Sequence, residues 1–238
     1  MAREIELWQF IAHRLRSGER VVLLVVAESH GSSPGRAGYK MAVAADGELV
    51  GSIGGGVMEV NLVEQAKASL ADPQRTSSTH LIEQEHRKNS EHPSGMICSG
   101  RQTVVLKILT SDDLDTLDKI SERITLREPA VFDISDLKFE IADRIDEAPV
   151  GFVRTDTGFS YRESLGQKDH IYIIGGGHCA LALSEMMARL DFRVSIFDDR
   201  PELNTLEKNE FADSITTVES YEEIAVSIAA EIISVKNA

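Results

Sequence analysis

The segment "HIYIIGGGHCALALSEMMARLDFRVSIFDD", residues 170–199, admits few folds. An apolar run ends in three glycines, an amphipathic helical pattern follows at once, and a second apolar run ends in two aspartates. Strand, glycine turn, helix and strand in that order form a β-α-β unit, the start of a doubly wound parallel sheet. Gly175, Gly177 and Ala180 spell G-x-G-x-x-A, and Asp198 lies 21 residues beyond Gly177. This is the spacing of a dinucleotide fingerprint, whose acid binds a ribose hydroxyl. Two readings stand for the turn: a nucleotide site of the Rossmann type, or helix–strand packing alone. His178, at the helix start, is either a contact to a bound phosphate or a solvated turn residue.

A second glycine run, Gly54, Gly55 and Gly56, precedes a helical pattern over 57–70. Glycine loses more conformational entropy on folding than any other residue, so three in a row imply a sharp turn or a close approach. Upstream, residues 4–16 place Ile5, Leu7, Trp8, Ile11, Ala12 and Leu15 on one helical stripe. Residues 20–29 are a continuous β-branched run and predict a buried strand. A Gly/Ser-rich loop spans 30–40. Strands at 40–44 and 48–53 form a hairpin around Asp46-Gly47. Residues 71–95 are polar, and "THLIEQEHRK" fits an edge strand or a short helix. Residues 94–110 read as a loop and a strand, and 111–129 as a helix with Ser111 or Asp112 at its N-cap. Short strands are expected through 130–163, and "SLGQKD", 164–169, reads as a linker. The expected fold is therefore α/β: a mixed domain over 1–163, the linker, and a partial Rossmann-like parallel-sheet domain over 170–238.

Lysine and arginine number 25 against 39 acidic residues, a net charge of −14. That balance argues against nucleic-acid binding, and any anionic ligand needs local donors. No apolar run approaches the ~20 residues that cross a bilayer, and the charged N-terminal helix has no signal-peptide core. A cytoplasmic chain is expected. The two cysteines, Cys98 and Cys179, are too few for a disulfide scaffold. Cys179 reads as a packing residue. His86, His92 and Cys98 match no standard zinc spacing, and no metal site is expected.

Three segments together resemble one family: "HGSSPGRAGYKMAVAADGELVGSIGGGVMEV" (30–60), "SGMICSGRQTVVLKIL" (94–109) and "HIYIIGGGHCALALSEMMARLDFRVSIFDDRPEL" (170–203). The chain resembles the XdhC/CoxI family, the xanthine dehydrogenase accessory factors. The resemblance implies a maturation factor, closer to a cofactor-binding chaperone than to a turnover enzyme. Such proteins bind molybdenum cofactor, protect it while a cysteine desulfurase installs its sulfido ligand, and pass it to an apo molybdenum hydroxylase. Two departures stand out. The family's Cys-Gly-Gly is Cys98-Ser99-Gly100 here, so any turn needing φ > 0 at Ser99 would be strained. Later motifs of the family's Rossmann domain are missing after "AAEIISVKNA", which suggests a sheet of about four strands. Its open edge would favour a homodimer.

On that resemblance the first glycine run is an anion nest for the cofactor's phosphate, against the alternative of tight packing alone. Ser52, Gly54, Gly55 and Gly56 would present N–H groups at a helix start. Ser32, Ser33, Arg36 and Lys40 would add donors, Arg36 as a bidentate grip. Glu59 would bond a pterin N–H edge or simply sit well in the helix dipole. Cys98 is the candidate for sulfur or molybdenum contact, with Arg101 lowering its pKa, against the alternative of a half-buried turn cysteine. Two other classes compete: an NAD(P)-dependent oxidoreductase or nucleotide-binding protein built on Gly175–Asp198, and a degenerate scaffold.

Overall fold

The computed structural model describes residues 2–75, 78–85, 100–126, 128–142, 150–165, 170–190, 192–220, 222–223, 225–226 and 228–230. The chain divides into two compact units, Met1–Gly166 and Gln167–Ala238. The boundary falls inside the segment read as a linker, whose first residues, Ser164 and Leu165, complete a strand of the first unit.

The first unit has three layers. Its centre is a five-stranded antiparallel sheet of β1 (Val21–Gly31), β2 (Lys40–Ala44), β3 (Leu49–Gly51), β4 (Thr79–Glu85) and β5 (Gly100–Leu109), in the order β3-β2-β1-β5-β4. The continuous apolar run of β1 follows from burial on both faces. Val22, Leu24 and Val26 pack with Leu62, Val63, Ala66 and Leu70 of α2 (Gly56–Ala71). Leu23 and Val25 face Trp8, Ile11 and Leu15 of α1 (Ala2–Arg16), Leu117 and Ile120 of α3 (Leu114–Leu126), and a second sheet. Each such buried side chain contributes about 1.5–3 kcal/mol. The second sheet is antiparallel, with β6 (Ala130–Ser135), β7 (Phe139–Ala142), β8 (Val150–Thr155) and β9 (Gly158–Leu165) in the order β7-β6-β9-β8.

Several boundaries differ from the sequence reading. "THLIEQE" is the edge strand β4. The hairpin's second strand is only Leu49–Gly51, because Gly51 turns away at φ 90°. The cap before α3 is Thr110 rather than Ser111 or Asp112. Thr110 and Asp113 form a reciprocal capping box around one 3₁₀ turn.

The second unit is a parallel sheet of β10 (His170–Ile174), β11 (Arg193–Asp198) and β12 (Ser214–Thr217), in that order. The helix α4 (His178–Arg189) crosses from β10 to β11, and a short α5 (Asn204–Glu207) follows β11. This is the expected partial Rossmann-like arrangement, with three strands among the described residues. Among them, no helix is long and apolar enough to cross a membrane.

Candidate functional site

The antiparallel ladder brings five strand ends to one end of the central sheet. Gly31 at the end of β1 pairs with Gly100 at the start of β5, and Glu85 at the end of β4 pairs with Arg101. The 32–39 loop leaves β1 there, and the glycine turn leaves β3 on the same side. Segment 86–99 connects β4 to β5 at this end. His86, His92, Cys98 and Ser99 lie outside the described residues.

The loop and the glycine turn touch through their backbones. Gly54 has φ 124°, and a Cβ there would sit 2.5 Å from the Gly35 nitrogen and 2.7 Å from the Pro34 carbonyl carbon. A Cβ on Gly100 would sit 2.5 Å from the Ser33 nitrogen. These glycines are close approaches between segments. Gly55 differs: it is the N-cap of α2 at φ 75°, ψ −174°, a region almost confined to glycine. A Cβ there would meet nothing within 4 Å. The space beside the Gly55 Cα is open, and Gly55 itself has no side chain to cap the helix.

Glu59 folds back onto this turn. Its Oε2 accepts hydrogen bonds from the Ser52 hydroxyl at 2.7 Å, the Ile53 N–H at 2.9 Å and the Gly55 N–H at 3.0 Å. The Ser52 Oγ in turn accepts the Gly54 N–H at 3.2 Å. The nest expected of Ser52 and Gly54–Gly56 is thus partly occupied by the chain's own carboxylate. Donors for a further anion fall to the first turn of α2, from Gly56, and to the exposed Ser32 and Arg36.

Two loop residues expected to face a ligand point inward instead. Ser33 is 6% exposed, and its hydroxyl donates to Gln102 Oε1 at 2.9 Å. Lys40 starts β2 and its ammonium is buried, paired with Glu163, 3.4 Å from Glu4 and 3.1 Å from the Gly38 carbonyl. Desolvation opposes the Lys40 charge, but Glu163 and Glu4 outweigh it and hold its pKa above the usual lysine value. Burial uses Lys40 to join the two sheets, so an oxyanion cannot claim it. Arg101 is exposed at the sheet end beside His30 and Glu85 in the ladder.

In the second unit, a Cβ on Gly175 or Gly177 would meet nothing within 4 Å, so that turn also faces open space. His178 and Cys179 are exposed at the start of α4, which corrects the reading of Cys179 as a packing residue. Asp198 departs from a ribose acceptor. It is 2% exposed and accepts the Gly176 N–H, the Arg200 N–H at 2.8 Å, and the Arg200 guanidinium at 3.0 and 2.9 Å. Arg200, aided by these backbone N–H groups, holds its carboxyl far below the usual range. The acid is spent on fixing the glycine turn. Thr205 donates to the Gly176 carbonyl from the other side.

Among the described residues, no group of three or more His, Cys, Asp or Glu side chains is placed to hold a metal ion. Sequence reasoning missed Gln84 and Gln102, which support the site from beneath. Their only signal was an amide ending the apolar row Val104, Leu106 and Ile108 on β5, and a second amide after Ile82 on β4.

No curated protein matches the chain by sequence. In three dimensions it matches the crystal structure of a xanthine dehydrogenase from Bacillus halodurans, with a TM-score of 0.62 and 20% identity, over 90% of this chain and 68% of that one. That likeness establishes the shared α/β fold. Residues 14–81 match the XdhC and CoxI family. That matched stretch, the part of the chain that resembles the XdhC and CoxI family, contains both the 32–39 loop and the glycine turn.

Proposed function

We propose that the protein is an accessory factor that binds molybdenum cofactor as cargo, at the end of the central sheet, and supports its sulfuration and insertion into a molybdenum hydroxylase of the xanthine dehydrogenase type. The observation that carries this reading is the coincidence of the family match with the loop and glycine turn that the fold brings together. The residues fit a phosphate-bearing pterin. Gly55 leaves an open cradle, the first turn of α2 offers N–H groups, and Ser32 and Arg36 are exposed beside them. In a chain of net charge −14, such local donors are what an anion requires. Cys98, two residues before the pinned Gly100, would contact sulfur or molybdenum. An apo molybdenum hydroxylase, a cysteine desulfurase and a second copy of the chain are the partners this role calls for, in the cytoplasm.

Anaerobic co-purification with the cofactor, followed by release of the fluorescent oxidised pterin, tests the reading. Wild type should carry pterin and molybdenum, and Cys98→Ala should lose molybdenum. Pterin in neither protein would overturn it. A second reading, a nucleotide at Gly175–Gly177, is favoured by the open space over that turn. Thermal stabilisation by NAD(P) or ATP would support it, and no shift with any nucleotide would remove it.

A further inference from the structure

Beneath the candidate site runs a chain of side-chain hydrogen bonds with a single direction. The Ser33 hydroxyl donates to Gln102 Oε1 at 2.9 Å, Gln102 Nε2 donates to Gln84 Oε1 at 2.9 Å, and Gln84 Nε2 donates to the Met58 carbonyl at 3.0 Å. It begins on the 32–39 loop, crosses β5 and β4, and ends in the first turn of α2. Each amide uses its oxygen toward the loop and its nitrogen toward the helix, so every bond polarises the next.

The placement departs from the surrounding pattern. On β5, Val104, Leu106 and Ile108 pack in the core beneath α2, and Gln102 continues that row at 1% exposure. On β4, Ile82 packs against the same core, and Gln84 continues its row directly opposite Gln102. The β5 row changes from apolar to amide where it reaches the candidate site, and on β4 the amide follows the one apolar member of its row, Ile82. A buried amide costs free energy unless satisfied, and these two are satisfied by bridging the two segments that would hold a ligand. A Cβ on Gly35 would approach Gln102 Oε1 to 2.8 Å, so the loop backbone lies against the amide itself.

We propose that Gln102 and Gln84 are positioning residues, which set the separation between the 32–39 loop and the first turn of α2 through the chain from the Ser33 hydroxyl to the Met58 carbonyl. In its link to cargo this rests on the reading of that sheet end as the binding site. The coupling itself does not.

The test uses the ligand-free full chain and hydrogen exchange of the 31–39 and 56–62 segments in Ser33→Ala, Gln84→Met and the double variant. Gln84 hydrogen-bonds to Gln102 and Met58 rather than to the loop, yet Gln84→Met should speed exchange in 31–39 by about threefold or more, and Ser33→Ala should do the same in 56–62. At each segment the double variant should exchange no faster than the more affected single variant, because one break already uncouples the ends. Effects confined to each variant's own segment, or multiplying in the double variant, would overturn the proposal. Gln102→Met removes both the acceptor for Ser33 and the donor to Gln84, so it should speed exchange in both segments. Wild-type behaviour of that variant would also overturn it. Titration with released pterin is a separate arm. Exchange coupling without pterin binding would leave the positioning role and remove the cargo reading.

Discussion

Replacing Gly54 and Gly55 one at a time by alanine separates close approach from backbone conformation within a single turn. At Gly55 the cost is conformational: φ 75°, ψ −174° is almost glycine-only and costs about 1–3 kcal/mol for other residues, with no atom within 4 Å of the new methyl. At Gly54 a positive φ of 124° adds to contacts at 2.5, 2.7 and 2.9 Å, all with backbone atoms of Pro34 and Gly35 that cannot swing aside. Overpacking of that kind costs about 1–3 kcal/mol more. Trp8 is the only tryptophan and is fully buried in the first unit, so urea unfolding followed by its fluorescence reports on that unit. With a urea slope of about 1–3 kcal/mol/M, Gly54→Ala should lower the midpoint by roughly 1 M more than Gly55→Ala does. Equal midpoints, or a larger fall for Gly55→Ala, would mean that the loop and the turn are not packed back to back.

Further outcomes follow from individual contacts. Arg36→Ala should weaken pterin binding about tenfold or more through loss of a charge-assisted bond, and leave the urea midpoint unchanged because the side chain is exposed. Glu59→Gln keeps an acceptor for the turn and removes a negative charge beside the expected phosphate. Binding should tighten by about threefold in fluorescence titration, as expected for a partly screened charge; a fall would show that the carboxylate itself grips the cargo. The Asp198 pKa is depressed by Arg200, so this group contributes stability that is full above its unfolded value of about 4 and lost as pH falls through its folded value. Exchange protection in 170–190 should therefore decline in acid, and Asp198→Asn should flatten that decline. Lys107 is buried, with Asp113 at 3.9 Å, and burial pushes its pKa down. Lys107→Met should be neutral or stabilising by up to about 3 kcal/mol in the same urea assay.

Periodicity made α1, β1 and the β-α-β unit legible, because an apolar stripe every 3.6 residues or an unbroken β-branched run has one economical burial. The 130–165 region was legible only as short strands, since β6 to β9 have one face on the core and mix polar residues freely. Gly54 to Gly56 announced a turn, but sequence could not divide their roles, which depend on whether Gly35 or open space lies opposite. Lys40, Ser33 and Asp198 were placed in the right segments with the wrong duties. For Lys40 and Ser33 a partner far along the chain, Glu163 or Gln102, had already claimed the polar group, and for Asp198 it was Arg200 two residues on, together with the Gly176 N–H. Residue type announces what a side chain can bond, and tertiary contact decides what it does bond.

Hydrogen exchange of the full chain with and without bound pterin asks most directly where the cargo sits. Protection gained in 31–39 and 52–60, with 170–190 unchanged, is the outcome expected of a site at the end of the central sheet. Protection confined to the Gly175–Gly177 turn, or none anywhere, would contradict it.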